Sequence, residues 1–307
     1  MNISTNQLPP QGEGWEGALI RLTRPHHWIK NLFVLLPVIF GGSLLDAFEV
    51  YQAIVAFFAF SFIASSIYCF NDIIDVEADR RHTEKRHRPI ASGKVSVTQG
   101  YIVMIVCIAM SFGMCALLRD NMIETMGVIT AYFVMEIFYC ISLKRYAVID
   151  VCILAMGFVL RIITGGFATS ITPSHWLVLM TFLIALLMAF GKRRDDVLKY
   201  IRTGIAPRHN TKRYNLDFIN QAITVNAAVT LVCYIMYTVT PAVVEQLHCQ
   251  YAYLTTVFVI LGLYRYMQLV SVDENSGDPT KLVLRDRLLQ AVVLLWLTTF
   301  IIMIYVL

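Results

Sequence analysis

From residue 29 onward the chain alternates long apolar runs with short polar clusters, and the runs set the scale of the fold. A helix that crosses a bilayer needs ~20 largely apolar residues. Runs of about that length occupy 29–46, 49–70, 100–118, 122–141, 148–168, 176–191, 219–243, 250–270 and 288–306. The pattern predicts an all-α, polytopic membrane protein with about nine transmembrane helices. No tandem repeat, low-complexity tract or linker divides the chain. Residues 1–307 therefore read as a single integral membrane domain, with 1–20 as a flexible cytoplasmic N-terminus.

Composition agrees with that reading. Hydrophobic residues make up 57% of the 307 positions and charged residues only 15%, too few charges for a soluble domain of this size. Lys and Arg concentrate in cytoplasmic loops of membrane proteins. Placing the N-terminus in the cytoplasm puts 1–30, 71–99, 142–147, 192–218 and 271–287 on that side. These segments hold all of the 25 Lys and Arg except Arg119, Arg161 and Arg265. The expected location is the inner (plasma) membrane, with the polar chemistry facing the cytoplasm. Residues 1–20 lack the basic start and apolar core of a cleavable signal. The seven cysteines form no CxxC pair and read as packing residues. A net charge of +4, distributed by topology, does not point to nucleic acid, and none is expected as a partner.

The densest polar cluster is NDIIDVEADRRHTEKRHRPI, residues 71–90, directly after the second apolar run. If Ser61–Arg80 is one helix, Asn71, Asp72, Asp75 and Asp79 share a face at about 100° per residue. Carboxylates in one stripe repel unless a cation lies between them. Hard oxygen donors at a membrane interface suit Mg²⁺, which typically takes one or two carboxylates and completes its shell with phosphate and water. Glu77 points off the stripe. Lys85 and Arg88 follow, before Pro89 and Gly93 end any helix, and cations there suit phosphate oxygens left uncovered by the metal. A solvated juxtamembrane charge cluster is the plain alternative.

Other cations add to this picture. Arg161 lies within a run, eleven residues after Asp150, so both face one way about 16 Å apart along a helix. An unpaired charge at that depth costs at least ~2.5 kcal/mol, so Arg161 either lines a cavity or has a buried partner. Lys144 follows Tyr139 at a short cytoplasmic turn. GKRRDDVLKY (191–200) places Lys192 and Arg193 at another cytoplasmic helix end, and Lys30 stands in RPHHWIKN at the first run. The seven histidines have no metal-site spacing.

NDIIDVEAD fits the NDxxDxxxD signature of the UbiA superfamily of intramembrane prenyltransferases, and KRHRPIASG fits its continuation. The sequence resembles that superfamily from RPHHWIKN to GDPTKLVLRDRLL. The second acidic motif of its aromatic prenyltransferases is replaced by GKRRDDV, which is similar to the decaprenyl-phosphate phosphoribosyltransferase branch, with Asp196 where that branch usually has Glu. RPHHWIKN, SLKRYAVID and LRIITGG resemble the same branch. The resemblance implies a UbiA-type bundle and Mg²⁺-dependent transfer of 5-phosphoribose from phosphoribosyl pyrophosphate to a polyprenyl phosphate, feeding arabinan precursors of the cell envelope. It implies catalytic and metal-binding roles for Asp72, Asp75 and Asp79, with Asn71 as a further ligand. Lys30, Lys85, Arg88, Tyr139, Lys144, Arg161, Lys192 and Arg193 become candidates for substrate contacts. Transfer of a prenyl group from a prenyl diphosphate to an aromatic acceptor is the alternative within the fold; a transporter is the alternative outside it. A homo-oligomer is compatible with either.

Overall fold

The computed structural model describes residues 14–82, 85–247, 249–272, 282 and 285–306. Residues 1–13, 83–84, 248, 273–281, 283–284 and 307 lie outside the described residues. Every regular element among those described is helical. In chain order they are α1 (Trp15–Thr23), a 3₁₀ segment (Pro25–Leu35), α2 (Leu36–Phe40), α3 (Ala47–Ile74), α4 (Val76–Arg81), α5 (Val97–Cys115), α6 (Met122–Ile141), α7 (Ile149–Ala168), α8 (His175–Thr203), α9 (Leu216–Val239), α10 (Pro241–Gln246), α11 (Thr256–Ser271) and α12 (Arg287–Tyr305). Short 3₁₀ turns lie between some of them. Eight helices among the described residues are long and apolar enough to cross a membrane: α3, α5, α6, α7, α8, α9, Ala252–Ser271 and α12.

The first apolar run, 29–46, is the exception. It forms the 3₁₀ segment and the five-residue α2 rather than one continuous helix. Pro37 explains the break. It has no N–H to bond the carbonyl four residues back, and its ring crowds that carbonyl. Gly42, at φ 77°, then takes the left-handed turn that a side chain would resist. Elsewhere the polar punctuation starts helices as expected of N-caps. Asp46 accepts from Phe48 N, Ser174 from Leu177 N, Asn215 from Phe218 N and Asp286 from Leu289 N. Ser96 and Gln99 close a reciprocal capping box on α5.

Packing divides the chain into two compact units, residues 1–141 with 160–172, and residues 142–159 with 173–307. In the first, α3 is the central helix, packed by α1, the 3₁₀ segment, α5 and α6. Its buried positions include Ala53, Ala56, Ala59, Ser61, Ala64, Ser65 and Ser66, small side chains that let neighbouring backbones approach closely. The core of the second unit is built from Val151, Leu187, Phe190, Val197, Ile219, Ile223, Val270 and Leu289. Large apolar side chains stand outward on several spans, among them Ile102, Ile105 and Val106 on α5 and Leu294 and Leu295 on α12. Lipid tails solvate such faces, and the helices satisfy their own backbone hydrogen bonds within the hydrocarbon.

Candidate active site

The acidic stripe sits where α3 ends, but its helix is not continuous. Asp75 leaves the helical region at φ −86°, ψ 5°, and α4 restarts at Val76. The single helix expected over Ser61–Arg80 is therefore two. Short Asp side chains compete for nearby backbone groups and are poor interior helix residues, and here two neighbouring acids repel across the same turn. Asp72 is 2% exposed and Asp79 3%; Asn71 and Asp75 are half-buried.

Arg88 draws two members of the stripe together. Its Nη1 donates to Asp79 Oδ2 at 2.6 Å and to Asp72 Oδ1 at 3.2 Å. Arg24 donates from Nη2 to the same Asp72 oxygen at 2.5 Å, and its guanidinium lies 4.9 Å from the centre of the Tyr68 ring. Arg24 joins α1 to the 3₁₀ segment in a left-handed conformation, φ 51° and ψ 57°. A non-glycine residue held there is strained, so the turn aims the side chain at some conformational cost. Arg21 fastens the same region by donating to the His87 carbonyl at 3.2 Å. The RPH motif displays Arg24, yet nothing local in it points to a carboxylate 48 positions away.

Among the described residues no three His, Cys, Asp or Glu side chains gather as a metal-binding group. Asp75 departs from helical geometry, yet the bonds from Asp75 N to the Asn71 carbonyl and from Asp79 N to the Asp75 carbonyl keep the four-residue spacing through it. The carboxylates that do converge are Asp72 and Asp79, with one guanidinium nitrogen between them. Two carboxylates suit magnesium, which takes its other oxygens from phosphate and water. The donor chemistry therefore fits the ion. Lys30 and Lys85, also in this unit, are half-buried, as is Tyr139 near the end of α6.

Arg161 is 6% exposed and belongs to the first unit. Its Nε donates to Asn31 Oδ1 at 2.9 Å and its Nη2 to Tyr132 OH at 3.3 Å. The guanidinium also faces the Phe60 and Tyr132 rings at 4.8 and 5.2 Å. Asn31 in turn donates to Ser61 Oγ at 3.0 Å. A charge flagged by its depth thus has partners from the 3₁₀ segment, α3 and α6.

A second polar cluster lies within the other unit. α8 continues past the apolar run to Thr203, and this extension carries Lys192 and Arg193 on regular helix. Arg193, 1% exposed, pairs through Nε with Asp150 Oδ2 at 2.8 Å and through Nη1 with Asp196 Oδ2 at 2.5 Å. Arg208 adds a 2.9 Å contact to the same Asp196 oxygen. Tyr214 OH donates to Asp150 Oδ1 and accepts from Val148 N, each at 2.7 Å. Burial, with the Asp150 carboxylate beside it, raises the Tyr214 phenol above its ordinary pKa. Arg194 turns the other way, to Asn220 Oδ1 and the Val270 carbonyl. Arg208 and Tyr214 escaped the sequence reading because their partners are set by tertiary packing. Lys144 and Lys192 are half-buried.

These features define an integral membrane protein of bundled helices with a carboxylate–guanidinium cluster at the end of its most buried span. The chain belongs to the UbiA prenyltransferase family, whose profile matches residues 34–285. It is 33% identical over 287 residues to a decaprenyl-phosphate phosphoribosyltransferase of Mycobacterium tuberculosis, with 92% of each chain covered. A protein of the same description from Mycolicibacterium smegmatis is 34% identical over 293 residues, covering 92% of this chain and 91% of that one. The structure of a UbiA homolog from Archaeoglobus fulgidus bound to GPP and Mg²⁺ superposes with a TM-score of 0.68 over 94% of this chain and 99% of that one. At 15% identity that likeness speaks for the fold alone. The chain is an enzyme, a transferase of this family.

Proposed function

We propose that the protein transfers 5-phosphoribose from phosphoribosyl pyrophosphate to a polyprenyl phosphate, releasing pyrophosphate, with magnesium as cofactor. The observation that carries the choice of substrates is the likeness to phosphoribosyltransferases over 92% of both chains. The bridged Asp72–Arg88–Asp79 cluster supports the place of the chemistry. The charge bias of the loops supports an inner-membrane orientation with the N-terminus and this cluster on the cytoplasmic side.

In this reading Asp72 and Asp79 hold the metal, and Asn71 and Asp75 are the other oxygen donors of the same helix end. When bound, magnesium supplies Lewis-acid stabilisation to the departing diphosphate. Arg24, Arg88, Lys85 and Lys30 supply positive charge to phosphate oxygens, in the preorganised electrostatic manner that lowers such barriers most. An oxygen of the lipid phosphate bonds to ribose C1 as the C1–oxygen bond to pyrophosphate breaks. The phosphate is already ionised, so no protein nucleophile or base is required. Arg161 and Tyr139 keep their candidacy for phosphate contacts, as do Lys144 and Lys192 in the second unit. Arg193 remains a candidate as well, and its pairing with Asp150 and Asp196 ties its helix to neighbouring elements.

The test is direct. Membranes containing the protein are incubated with Mg²⁺, polyprenyl phosphate and phosphoribosyl pyrophosphate labelled in the ribose. Label entering the lipid phase supports the reading. Label transfer only from a prenyl diphosphate to an aromatic acid would replace it with a prenyltransferase activity.

A further inference from the structure

One oxygen of each of the two buried carboxylates at the end of α3 is held by guanidinium groups. Arg24 and Arg88 both occupy Asp72 Oδ1, and Arg88 also occupies Asp79 Oδ2. Within this bonded cluster two acids are balanced by two guanidiniums. Asp72 and Asp79 are almost fully buried, and a buried carboxylate stripped of its cation is costly. The pairs therefore secure the acids, and their positive charge also opposes the entry of a metal ion.

A bare divalent cation entering the cluster would sit beside both arginines, two like charges against a third. A divalent cation that arrives with a diphosphate brings the guanidiniums a new anionic partner. They can turn from carboxylate to phosphate, where their planar forks bind well, while the carboxylates turn to the metal. Arg24 is built for such an exchange. Its backbone is fixed in a left-handed turn, and its head rests against the Tyr68 ring, so the side chain pivots about a defined base.

We infer that Arg24 and Arg88 are exchangeable counter-ions that make this site select the metal–diphosphate complex over the free metal ion. The inference rests on the diphosphate reading above and adds an ordering rule to it: metal and diphosphate bind cooperatively, and Arg24, a residue outside the acidic signature, is one source of the coupling.

Two binding measurements on the full-length protein in lipid nanodiscs test this without turnover. Calorimetry follows Mg²⁺ alone, and retention of labelled inorganic pyrophosphate is followed at fixed free Mg²⁺. Arg24→Gln is expected to bind Mg²⁺ alone about tenfold more tightly than wild type and to retain pyrophosphate about tenfold less well, within the usual range of coupling between sites. Arg88→Gln is expected to shift both quantities in the same directions, which keeps the test open if one variant fails to fold. Mg²⁺ binding alone that is no tighter in either folded variant, with wild type still retaining pyrophosphate, overturns the exchange and leaves the proposed function standing. Wild type that retains no pyrophosphate at any Mg²⁺ concentration overturns both.

Discussion

The phenol of Tyr214 donates a 2.7 Å hydrogen bond to the carboxylate of Asp150, 64 positions earlier in the chain. The bond joins the start of α7 to the residues that lead into α9, and it orients the acid that Arg193 grips from α8. Tyr214→Phe removes the donor to Asp150 and the acceptor of Val148 N at once. A hydrogen bond to a charged group contributes about 2 kcal/mol, so unfolding in mild detergent is expected at a clearly lower temperature than for wild type. Because the folded phenol titrates above its ordinary value of 10.0, its contribution is complete below pH 10 and is lost as the pH rises beyond it. A thermal scan in which Tyr214→Phe melts with wild type would deny the network a structural role.

Acid should act on a different joint. Asp286 caps α12 and receives Arg265 of α11 at 2.6 Å. Chiefly through the Arg265 hydrogen bond, its carboxyl lies below the ordinary value of 3.8. A depressed carboxyl pKa contributes stability that is present above the unfolded value and lost as pH falls through the folded one. The α11–α12 joint is thus expected to hold at pH 5 and loosen below about pH 4. Asp286→Ala should cost about 1 kcal/mol through the cap alone and flatten that acid limb. Hydrogen exchange at the first turn of α12 reads the effect; an unchanged acid limb in the variant would place the titration elsewhere.

On the proposed function, Asp72→Asn and Asp75→Asn should each leave the protein extractable and folded while phosphoribosyl transfer falls by a factor of about 10³, the scale of losing one transition-state electrostatic contact. Chelation of divalent ions should stop wild type to the same extent, and added Mg²⁺ should restore it. Activity that survives both treatments would remove metal and aspartates from the chemistry together.

The long spans were legible because hydrocarbon forbids any alternative: an unpaired backbone group in lipid costs too much, so a long apolar run becomes a helix. The first run misled because one residue, Pro37, outweighs the apolar residues around it. In the acidic stripe, i, i+3 and i+4 spacing located Asp72 and Asp79 on a common side, and the structure joins them through Arg88. The break at Asp75 was not legible, since it depends on how adjacent acids and the chain beyond resolve their repulsion. Arg161 announced through its depth that it needs partners, but the choice of Asn31 and Tyr132 is a matter of which helices meet. Arg24 and Arg208 belong to the same class: each is an ordinary flanking cation in the sequence, and only the packing supplies its acid.

One close approach links that packing to a single atom. A Cβ built on Gly165 would lie 1.9 Å from the carbonyl oxygen of Val34, and the clash is with backbone that cannot swing aside. The spacing explains why this contact matters. Residues three apart eclipse in a 3₁₀ helix, so Val34 and Asn31 present together; residues four apart share a face of an α-helix, so Gly165 and Arg161 do the same. The missing side chain at Gly165 lets the two backbones come close enough for Asn31 Oδ1 to reach Arg161 Nε at 2.9 Å. Gly165→Ala is therefore expected to push the 3₁₀ segment away, to cost about 2–3 kcal/mol as overpacking does, and to break the Asn31–Arg161 bond as well. A double-mutant cycle separates these effects, because coupled neighbours are not additive. Gly165→Ala should cost less in an Asn31→Ala background than in wild type. Fully additive costs would show that the glycine serves the contact with Val34 and has no part in seating Arg161.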